Sequence, residues 1–326
     1  MLKHLLKWAV VAAMAVPFAH AQVTTIKLGH VTQTTHPFHM GAEMFRDAVS
    51  SKTSGQIKIE IYPARQLGDD RQLLEGVRLG TIDAALISSS TFSLFTPIMD
   101  GLQLPWLIPT YDKLAEAFAS PPAQEMLARL DGLGMKGLGY YEGGQRHMLN
   151  SKKPGDTIAD WQGLKIRVVP NPLHIAIFKA VGASPTPMPY GEVYTALETG
   201  VLDGSEINVS SVFAEKFYEK AGNLSMSGHF FFPGVLVVNK MRFARLSADQ
   251  QKALVAAASE TIKPQVKATE AQEKDYLAKL KPLGLKVTPF KEREAALRKV
   301  KPVSDEYEAK DPLVKKFADH VRKSNS

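Results

Sequence analysis

The spacing of hydrophobic residues changes repeatedly along the first part of the chain. Alternating apolar and polar positions predict strands at 26–30, 56–63 and 81–87, because a strand turns successive side chains to opposite faces. Between them, apolar residues recur every three or four positions over 37–52 and again up to Gly80, which is the period of a helix. This strand-helix-strand-helix-strand order predicts an α/β fold with a mostly parallel sheet.

A second set of the same kind covers residues 163–208. Within it, VYTALETGVLDG aligns with the earlier LLEGVRLGTIDA and superimposes Gly200 on Gly80 and Asp203 on Asp83. A glycine after a helix is common, so one such match can arise by chance. The match also lies within the same strand-helix-strand order, and we therefore expect two related units.

A long helical pattern extends from Ser247, a candidate N-cap, to about Lys281. Pro264 lies inside it and should kink or break the helix. At about 1.5 Å per residue, the pattern is longer than one lobe is wide. We expect this helix to bridge two lobes.

The first residues have the features of a secretory signal peptide. Two lysines precede an apolar stretch, and Ala19-His20-Ala21 has the A-x-A form of a cleavage site, so we expect Met1 to Ala21 to be removed. The apolar stretch is too short to span a bilayer, and we expect no membrane insertion of the mature chain. With no cysteine in the sequence, an exported chain must rely on its core rather than on disulfides.

Removal of the signal peptide changes the net charge of the chain only slightly. Without the leader, 38 basic residues face 33 acidic ones, and the two signs alternate over 291–301. Nucleic-acid-binding proteins usually concentrate positive charge in one patch, so we expect no nucleic-acid partner. A mild positive balance does help to attract small anions.

Two motifs suggest chemistry that the surrounding sequence does not support. GLGMKG (132–137) fits G-x-G-x-x-G, but it follows a helical pattern and precedes a strand, the reverse of a dinucleotide site, so we interpret it as a turn. The sequence also places His30, His36 and His39 close together. No carboxylate accompanies them at a spacing typical of a metal site. We therefore favour histidines near a cleft over metal ligands. We expect no metal, no cofactor and no catalytic residue.

GLKIRVVPN raises the question of what Arg167 does. In a strand it shares a face with Lys165 and Val169, so the residues alone also permit an edge strand with two solvated cations. Its position favours a ligand role, because α/β sheets bind ligands outside the carboxyl ends of their strands and Pro170 ends this strand. Arg146 lies at a Gly-rich bend between extended segments, where a surface loop arginine is the alternative interpretation. Two guanidiniums aimed into a cleft would clamp a carboxylate through paired, charge-assisted hydrogen bonds.

Three longer segments resemble a known family. QLGDDRQLLEGVRLGTIDAAL, GLKIRVVPNPL and GASPTPMPYGEVYTALETGVLDGSE are similar to the DctP-type solute-binding proteins of tripartite ATP-independent periplasmic (TRAP) transporters. The resemblance implies an α/β, two-lobed periplasmic binding protein fold of the type II kind, with mixed, mostly parallel sheets and a long helix that bridges the lobes. It also implies lobe I at 22–145 plus 233–272 and lobe II at 146–232 plus 273–326.

The resemblance also implies ligand-binding residues. Arg167 matches the arginine that pairs with the ligand carboxylate, and Arg146 is the best match to an assisting arginine. Tyr190 matches an aromatic residue that lines the pocket. Asn208 lies close to a ligand-binding asparagine of the family, but Ile207 shifts the match by one residue. The remaining implied positions face the cleft in some members: His36, Asp70, Asn171 and His229. Members that take sialic acid carry polar residues where this chain has Val31, Ser88 and Thr91, which implies a smaller or less polar carboxylate.

The implied function is that of a periplasmic receptor. The receptor, a monomer, would close on a small organic acid and leave it chemically unchanged. It would then deliver the acid to the membrane permease of a TRAP transporter. The sequence leaves open a receptor of the same shape that feeds a signalling protein. An exported enzyme using Asp69, Asp70 or Glu206 is poorly supported, because no paired carboxylates accompany a nucleophile.

Overall fold

The computed structural model describes residues 23–325 as ten strands and twelve α-helices, with short 3₁₀ turns between them. The predicted signal peptide lies outside the described residues. The strands are β1 (Thr24–Gly29), β2 (Ile57–Tyr62), β3 (Ala84–Ser88), β4 (Met135–Asn150), β5 (Lys165–Val168), β6 (Ser184–Pro187), β7 (Gly204–Asn208), β8 (Asn223–Met226), β9 (Phe231–Asn239) and β10 (Lys286–Pro289). The helices are α1 (Pro37–Lys52), α2 (Asp70–Leu79), α3 (Tyr111–Ala119), α4 (Pro121–Arg129), α5 (Ile158–Trp161), α6 (Pro172–Ala180), α7 (Val193–Glu198), α8 (Val209–Ala214), α9 (Lys240–Ala244), α10 (Ala248–Leu280), α11 (Arg293–Lys310) and α12 (Pro312–Asn325).

The strands form two sheets that share β4. In the first sheet, β2, β1 and β3 are parallel, and β9 pairs antiparallel with both β3 and the first part of β4. In the second sheet, the last part of β4 pairs antiparallel with β7 and β8, while β5 lies parallel between β7 and β6, and β10 is parallel to β8. We call the parts built on these sheets the first and second lobes. The predicted two-lobed α/β fold is confirmed.

Helix α2, between β2 and β3, begins and ends at residues with clear local signals in the sequence. Asp69 caps α2, because its side chain accepts from the Gln72 N–H while the Gln72 side chain accepts from the Asp69 N–H. At the other end, Gly80 has a φ of 83°, a conformation that favours glycine. The predicted turn at GLGMKG is also found, with Gly134 at a φ of 81° just before β4.

The internal repeat extends to individual hydrogen bonds. Asp83 accepts from the backbone N–H of Lys27 in β1 at 3.0 Å, and Asp203 accepts from that of Lys165 in β5 at 2.9 Å. Gly200, the equivalent of Gly80, also has a positive φ, 73°. The same turn therefore connects helix to strand in both lobes.

Helix α10 joins the lobes. It packs on α1 and α3 in the first lobe, on α8 in the second, and along the shared strand β4. The helix is continuous through Pro264, so of the two predicted outcomes, a kink or a break, the break does not occur. A proline removes one backbone hydrogen bond, and tertiary contacts oppose its effect: the next residue, Gln265, is fully buried and donates to Glu142 O (2.8 Å) and Pro37 O (3.1 Å).

Each lobe has apolar clusters against its sheet. Leu28, Phe45 and Leu254 belong to a cluster in the first lobe, and Ile166, Phe178 and Trp161 to one in the second. Within residues 23–325, no helix is both long enough and apolar enough to cross a membrane.

Candidate functional site

Arg167 is the third of the four residues of β5, near its carboxyl end. It lies opposite Thr186 of β6 and Ser205 of β7, so β5 is an interior strand and the edge-strand alternative is wrong. Lys165 is exposed, as a solvated cation would be, but Arg167 is only 2% exposed. The alternating pattern therefore placed the two cations on one face correctly without revealing that one of them is covered.

The charge of Arg167 has no paired counter-ion in the described part of the chain. Its Nε donates to the Met188 carbonyl oxygen at 3.0 Å, and no carboxylate among residues 23–325 lies within ion-pairing distance. Burial lowers the pKa of Arg167 to about 10, opposed by the more distant charge of Glu206. The guanidinium therefore remains charged at neutral pH. Since an uncompensated buried charge is costly, the site favours an anion.

A cavity of about 200 Å³ lies beside Arg167, next to a smaller one of about 10 Å³. Both lobes contribute to its walls, so the cavity is an interlobe cleft. The walls include Val31, Asp70 and Thr91 from the first lobe and Arg167, Val169 and Tyr190 from the second. This volume is below the range of about 300–1,000 Å³ common for drug-sized ligands, which favours a small ligand.

Asp70 provides a carboxyl group across the cavity from the second lobe. It is the first residue of α2, and its Oδ1 is buried without a hydrogen-bond partner in the described residues. Burial raises the pKa of Asp70 to about 7, against the opposing hydrogen bond from the Ser88 backbone and the charge of Arg167. Near neutral pH this group can therefore accept a hydrogen bond or, when protonated, donate one.

Arg146 lies in β4 opposite Asn208 of β7, just after the Gly-rich bend. The Gly-rich stretch is a register irregularity within the strand, and Gly144 has a φ of 115° there. Such bulges re-aim side chains without ending a strand. Arg146 is thereby fixed at the smaller cavity.

Most donors of Arg146 are already in use. Its Nε donates to Glu206 Oε2 at 2.6 Å, Nη2 to Glu206 O at 2.7 Å, and Nη1 to Asn208 Oδ1 at 3.4 Å. Burial alone would raise the pKa of Glu206, but the charge of Arg146 and the hydrogen bond that Arg146 donates lower it far below its ordinary value. The ion pair is fully buried, so Arg146 adds little net charge to the cavity but retains two of its five N–H donors.

Asn208 and His36 lie behind Arg146, away from the cavity walls. Asn208 Nδ2 is 3.0 Å from His36 Nε2 and also donates to the Gly143 carbonyl oxygen. His36 caps α1 by accepting from the Phe38 N–H at 3.1 Å, and burial lowers its pKa well below 6.5. Both residues therefore connect the start of α1 with the shared strand β4.

Asn171 and His229 are buried but do not line the cavity in the described structure. Asn171 caps α6 and donates to Ser90 O at 2.9 Å and Asp100 Oδ1 at 2.8 Å, which links α6 to the first lobe. His229 Nδ1 is 2.8 Å from Ser227 Oγ, and burial lowers the His229 pKa to about 4. The structure thus brings Arg167, Asp70, Tyr190 and Arg146 together around the cavities but not Asn171 and His229.

Sequence reasoning missed several residues that line the cavities, among them Arg65 and Ser211. Arg65 contributes to the wall of the larger cavity and Ser211 to that of the smaller one. Arg65 follows β2 in a turn whose letters, YPARQ, contain no motif, and Ser211 lies in the first turn of a short helix. Val31 and Thr91, singled out as departures from sialic-acid binders, both line the cavity.

The comparisons with known proteins agree with this architecture. Residues 28–311 match the model of DctP, described as bacterial extracellular solute-binding protein, family 7. The chain is 35% identical over 271 residues to the 2,3-diketo-L-gulonate-binding periplasmic protein YiaO of Escherichia coli (strain K12), with 83% of each chain covered.

Two solved structures are similar over nearly their whole length. The sugar acid binding protein DctPAm from Advenella mimigardefordensis, in complex with galactonate, has a TM-score of 0.88 at 30% identity and covers 93% of this chain and 99% of its own. A TRAP periplasmic solute-binding protein from Bordetella bronchispeptica, with density assigned to pantoate, has a TM-score of 0.86 at 30% identity. The match covers 91% of this chain and 99% of that protein. The predicted resemblance is confirmed, and the chain belongs to the DctP family, family 7 of the bacterial extracellular solute-binding proteins.

Proposed function

We propose that this protein captures a small hydroxylated organic acid between its lobes, with the ligand carboxylate paired to Arg167, and delivers it unaltered to the membrane permease of a TRAP transporter. One observation supports the carboxylate above all: a buried guanidinium with no ion-pair partner among residues 23–325 faces an interlobe cavity. A carboxylate matches the planar fork of a guanidinium through two parallel hydrogen bonds.

The hydroxyl groups proposed for the ligand are supported by Asp70. Its free Oδ1 needs a hydrogen-bond partner, and a ligand hydroxyl can donate to the carboxylate or accept from the protonated acid. The relatives described above are named for, or contain, diketogulonate, galactonate and pantoate, which all combine a carboxylate with hydroxyl groups. The small cavity volume favours an acid of this size class over a larger one.

The remaining site residues have supporting roles in this proposal. Tyr190 covers one side of the ligand, and the two free donors of Arg146 assist at the inner end. Asn208 and His36 hold Arg146 in place, while Asn171 and His229 remain predictions as ligand contacts. A hydrogen bond to a charged group contributes about 1.5–3 kcal/mol and micromolar affinity requires about 8 kcal/mol, so burial of the ligand by lobe closure must supply the rest.

The proposal also includes the wider arrangement. The lobes comprise 22–145 plus 233–272 and 146–232 plus 273–326, and the mature protein acts as a monomer in the periplasm after cleavage behind Ala21. A receptor that feeds a signalling protein remains the alternative, but the named relatives give it no support. Catalysis on the ligand is not part of the proposal.

Thermal-shift screening of mature protein against sugar acids and short hydroxy acids tests this function. Each acid is paired with its neutral lactone or primary amide, and mass spectrometry examines the ligand after incubation. We expect at least one acid to raise the melting temperature, its neutral partner to have no effect, and the acid to be recovered unchanged. Equal stabilisation by acid and neutral partner would contradict the carboxylate assignment, and a converted ligand would indicate an enzyme.

A further inference from the structure

An ion pair spans the mouth of the cavity. Arg65 Nη1 lies 3.1 Å from Glu215 Oε1, although 150 residues separate them in sequence. Arg65 comes from the first lobe, just after β2, and Glu215 from the second, just after α8. Gln33 of the first lobe donates to the same carboxylate oxygen at 3.4 Å. The pair therefore forms only when the two lobes approach each other.

The first lobe holds Arg65 in position before any closure. Ala64 and Arg65 have φ values of 51° and 67°, a left-handed conformation that is uncommon outside glycine. The turn is fixed because Ala64 N donates to Thr32 O at 2.8 Å and Arg65 N to His30 O at 3.3 Å. Arg65 Nη1 also donates to Val31 O at 3.1 Å. The guanidinium is thus aimed at the mouth by its own lobe.

Glu215 is fixed in a similar way by the second lobe. It follows the last residue of α8, and its N–H donates to Ser211 O at 3.0 Å. Ser211 lines the smaller cavity, and Glu215 follows it by about one helical turn. Helix α8 follows directly on β7, the strand that carries Glu206 and Asn208. Movement of the second sheet therefore moves Glu215 as well.

The pair is partly shielded from water. The side chains of Arg65 and Glu215 are 28% and 14% exposed, which is less than for surface pairs such as Lys301 and Asp305 at 70% and 57%. Arg65 also lies 5.6 Å from the ring centre of Tyr190, the cavity wall of the second lobe. An ion pair in this partly desolvated position is stronger than one in bulk water.

We infer that Arg65 and Glu215 form an interlobe clasp that closes the mouth after the ligand has entered and sets the rate of ligand release. This inference rests on the proposed function. In this inference Arg167 binds the carboxylate, whereas the Arg65–Glu215 pair acts through the open-closed equilibrium of the lobes. An interaction made only in the closed form slows reopening and leaves ligand entry into the open form unchanged.

Stopped-flow measurement of ligand association and dissociation tests the clasp, with the acid found by the thermal-shift screen. The variants are Glu215→Gln, Arg65→Gln and the double variant. Arg46→Gln is the matched control, because Arg46 forms its ion pairs with Glu43 and Asp47 within α1 and does not line either cavity. We expect each single variant to raise the dissociation rate about tenfold and to change the association rate by less than about twofold. The double variant should release ligand no faster than the singles, and Arg46→Gln should match the wild type.

High salt provides a second readout. It should speed release from the wild type more than from Glu215→Gln, because salt screens a partly exposed ion pair. Unchanged release in both single variants, or independent and additive effects in the double variant, would overturn the clasp. If the wild type bound no acid of the panel, the proposed function would fail instead, so the two failures are distinguishable.

Discussion

At the scale of single residues, the site separates two arginines that look equivalent in sequence. Arg167 has no ion-pair partner in the described residues, whereas Arg146 is paired with Glu206 in a fully buried contact. Removing one member of a buried pair leaves an uncompensated charge. The two arginines should therefore differ in what their loss affects: ligand affinity for Arg167 and stability for Arg146.

The variant Arg146→Met tests this difference. It should lower the free energy of unfolding by about 3–5 kcal/mol, because Glu206 then stays buried without its cation. Arg46→Met is the control, since Arg46 pairs with Asp47 at the surface and its loss should cost less than about 1 kcal/mol. Urea denaturation measures both values. Equal losses in the two variants would contradict the structural role of Arg146.

Asp70 makes the stability of the ligand-free protein depend on pH. Its pKa rises from 3.8 to about 7 on folding, so the folded state holds the proton more tightly than the unfolded state. Its contribution to the free energy of unfolding therefore falls as the pH rises from about 4 to about 7 and then stays constant. Below that range both states are protonated and no penalty remains.

Asp70→Asn should accordingly stabilise the ligand-free protein at pH 8 by an amount on the order of a few kcal/mol, and the gain should disappear near pH 4. Asp249→Asn is the control, because Asp249 also lies in the first turn of a helix but is exposed. Thermal and urea unfolding at several pH values provide the measurement. A gain that is the same at pH 4 and pH 8 would rule out the buried carboxyl as its cause.

At the scale of elements, strand β4 determines where Arg146 points. The strand passes from the first sheet to the second through an irregularity between Glu142 and Gln145. A Cβ on Gly143 would lie 2.6 Å from Phe232 Cδ1 and 3.0 Å from Phe232 O. Because one of these atoms is backbone and the other belongs to a buried ring, neither can move away easily.

Gly143→Ala should therefore destabilise the protein by about 1–3 kcal/mol and weaken ligand binding by displacing Arg146. Gly132→Ala is the matched control, because a Cβ there meets no atom within 4 Å, and it should change stability by less than about 0.5 kcal/mol. Denaturation and calorimetry on both variants check the result. A neutral Gly143→Ala would show that the crossing tolerates a side chain.

The elements also show how far the sequence alone can predict the structure. Helix limits marked by local signals, such as Asp69 and Gly80 around α2, were predictable because a cap involves only neighbouring residues. Strand β6 was missed as a sheet partner because its segment SPTP contains two prolines. Prolines are tolerated in an edge strand, and this edge position is what makes β5 interior and covers Arg167.

At the scale of the whole molecule, the two-unit architecture was predictable from the internal repeat, but contacts between distant segments were not. The pairs Arg146–Glu206 and Arg65–Glu215 join residues 60 and 150 positions apart. No local period or spacing records which strands become neighbours or how the lobes meet. The sequence therefore singled out Arg167 but not the carboxylates that pair with the other arginines near the cleft.

Isothermal titration calorimetry on Arg167→Lys, with the acid found by the thermal-shift screen, tests the central claim most directly. Lysine keeps the positive charge but loses the guanidinium fork, so the dissociation constant should rise at least about tenfold, equivalent to about 1.4 kcal/mol. The melting temperature of the ligand-free protein should show that the fold is intact, and Arg71→Lys, a cation at the same cavity, should bind within about twofold of the wild type. An affinity of Arg167→Lys equal to that of the wild type would contradict the claim that this buried guanidinium binds the ligand carboxylate.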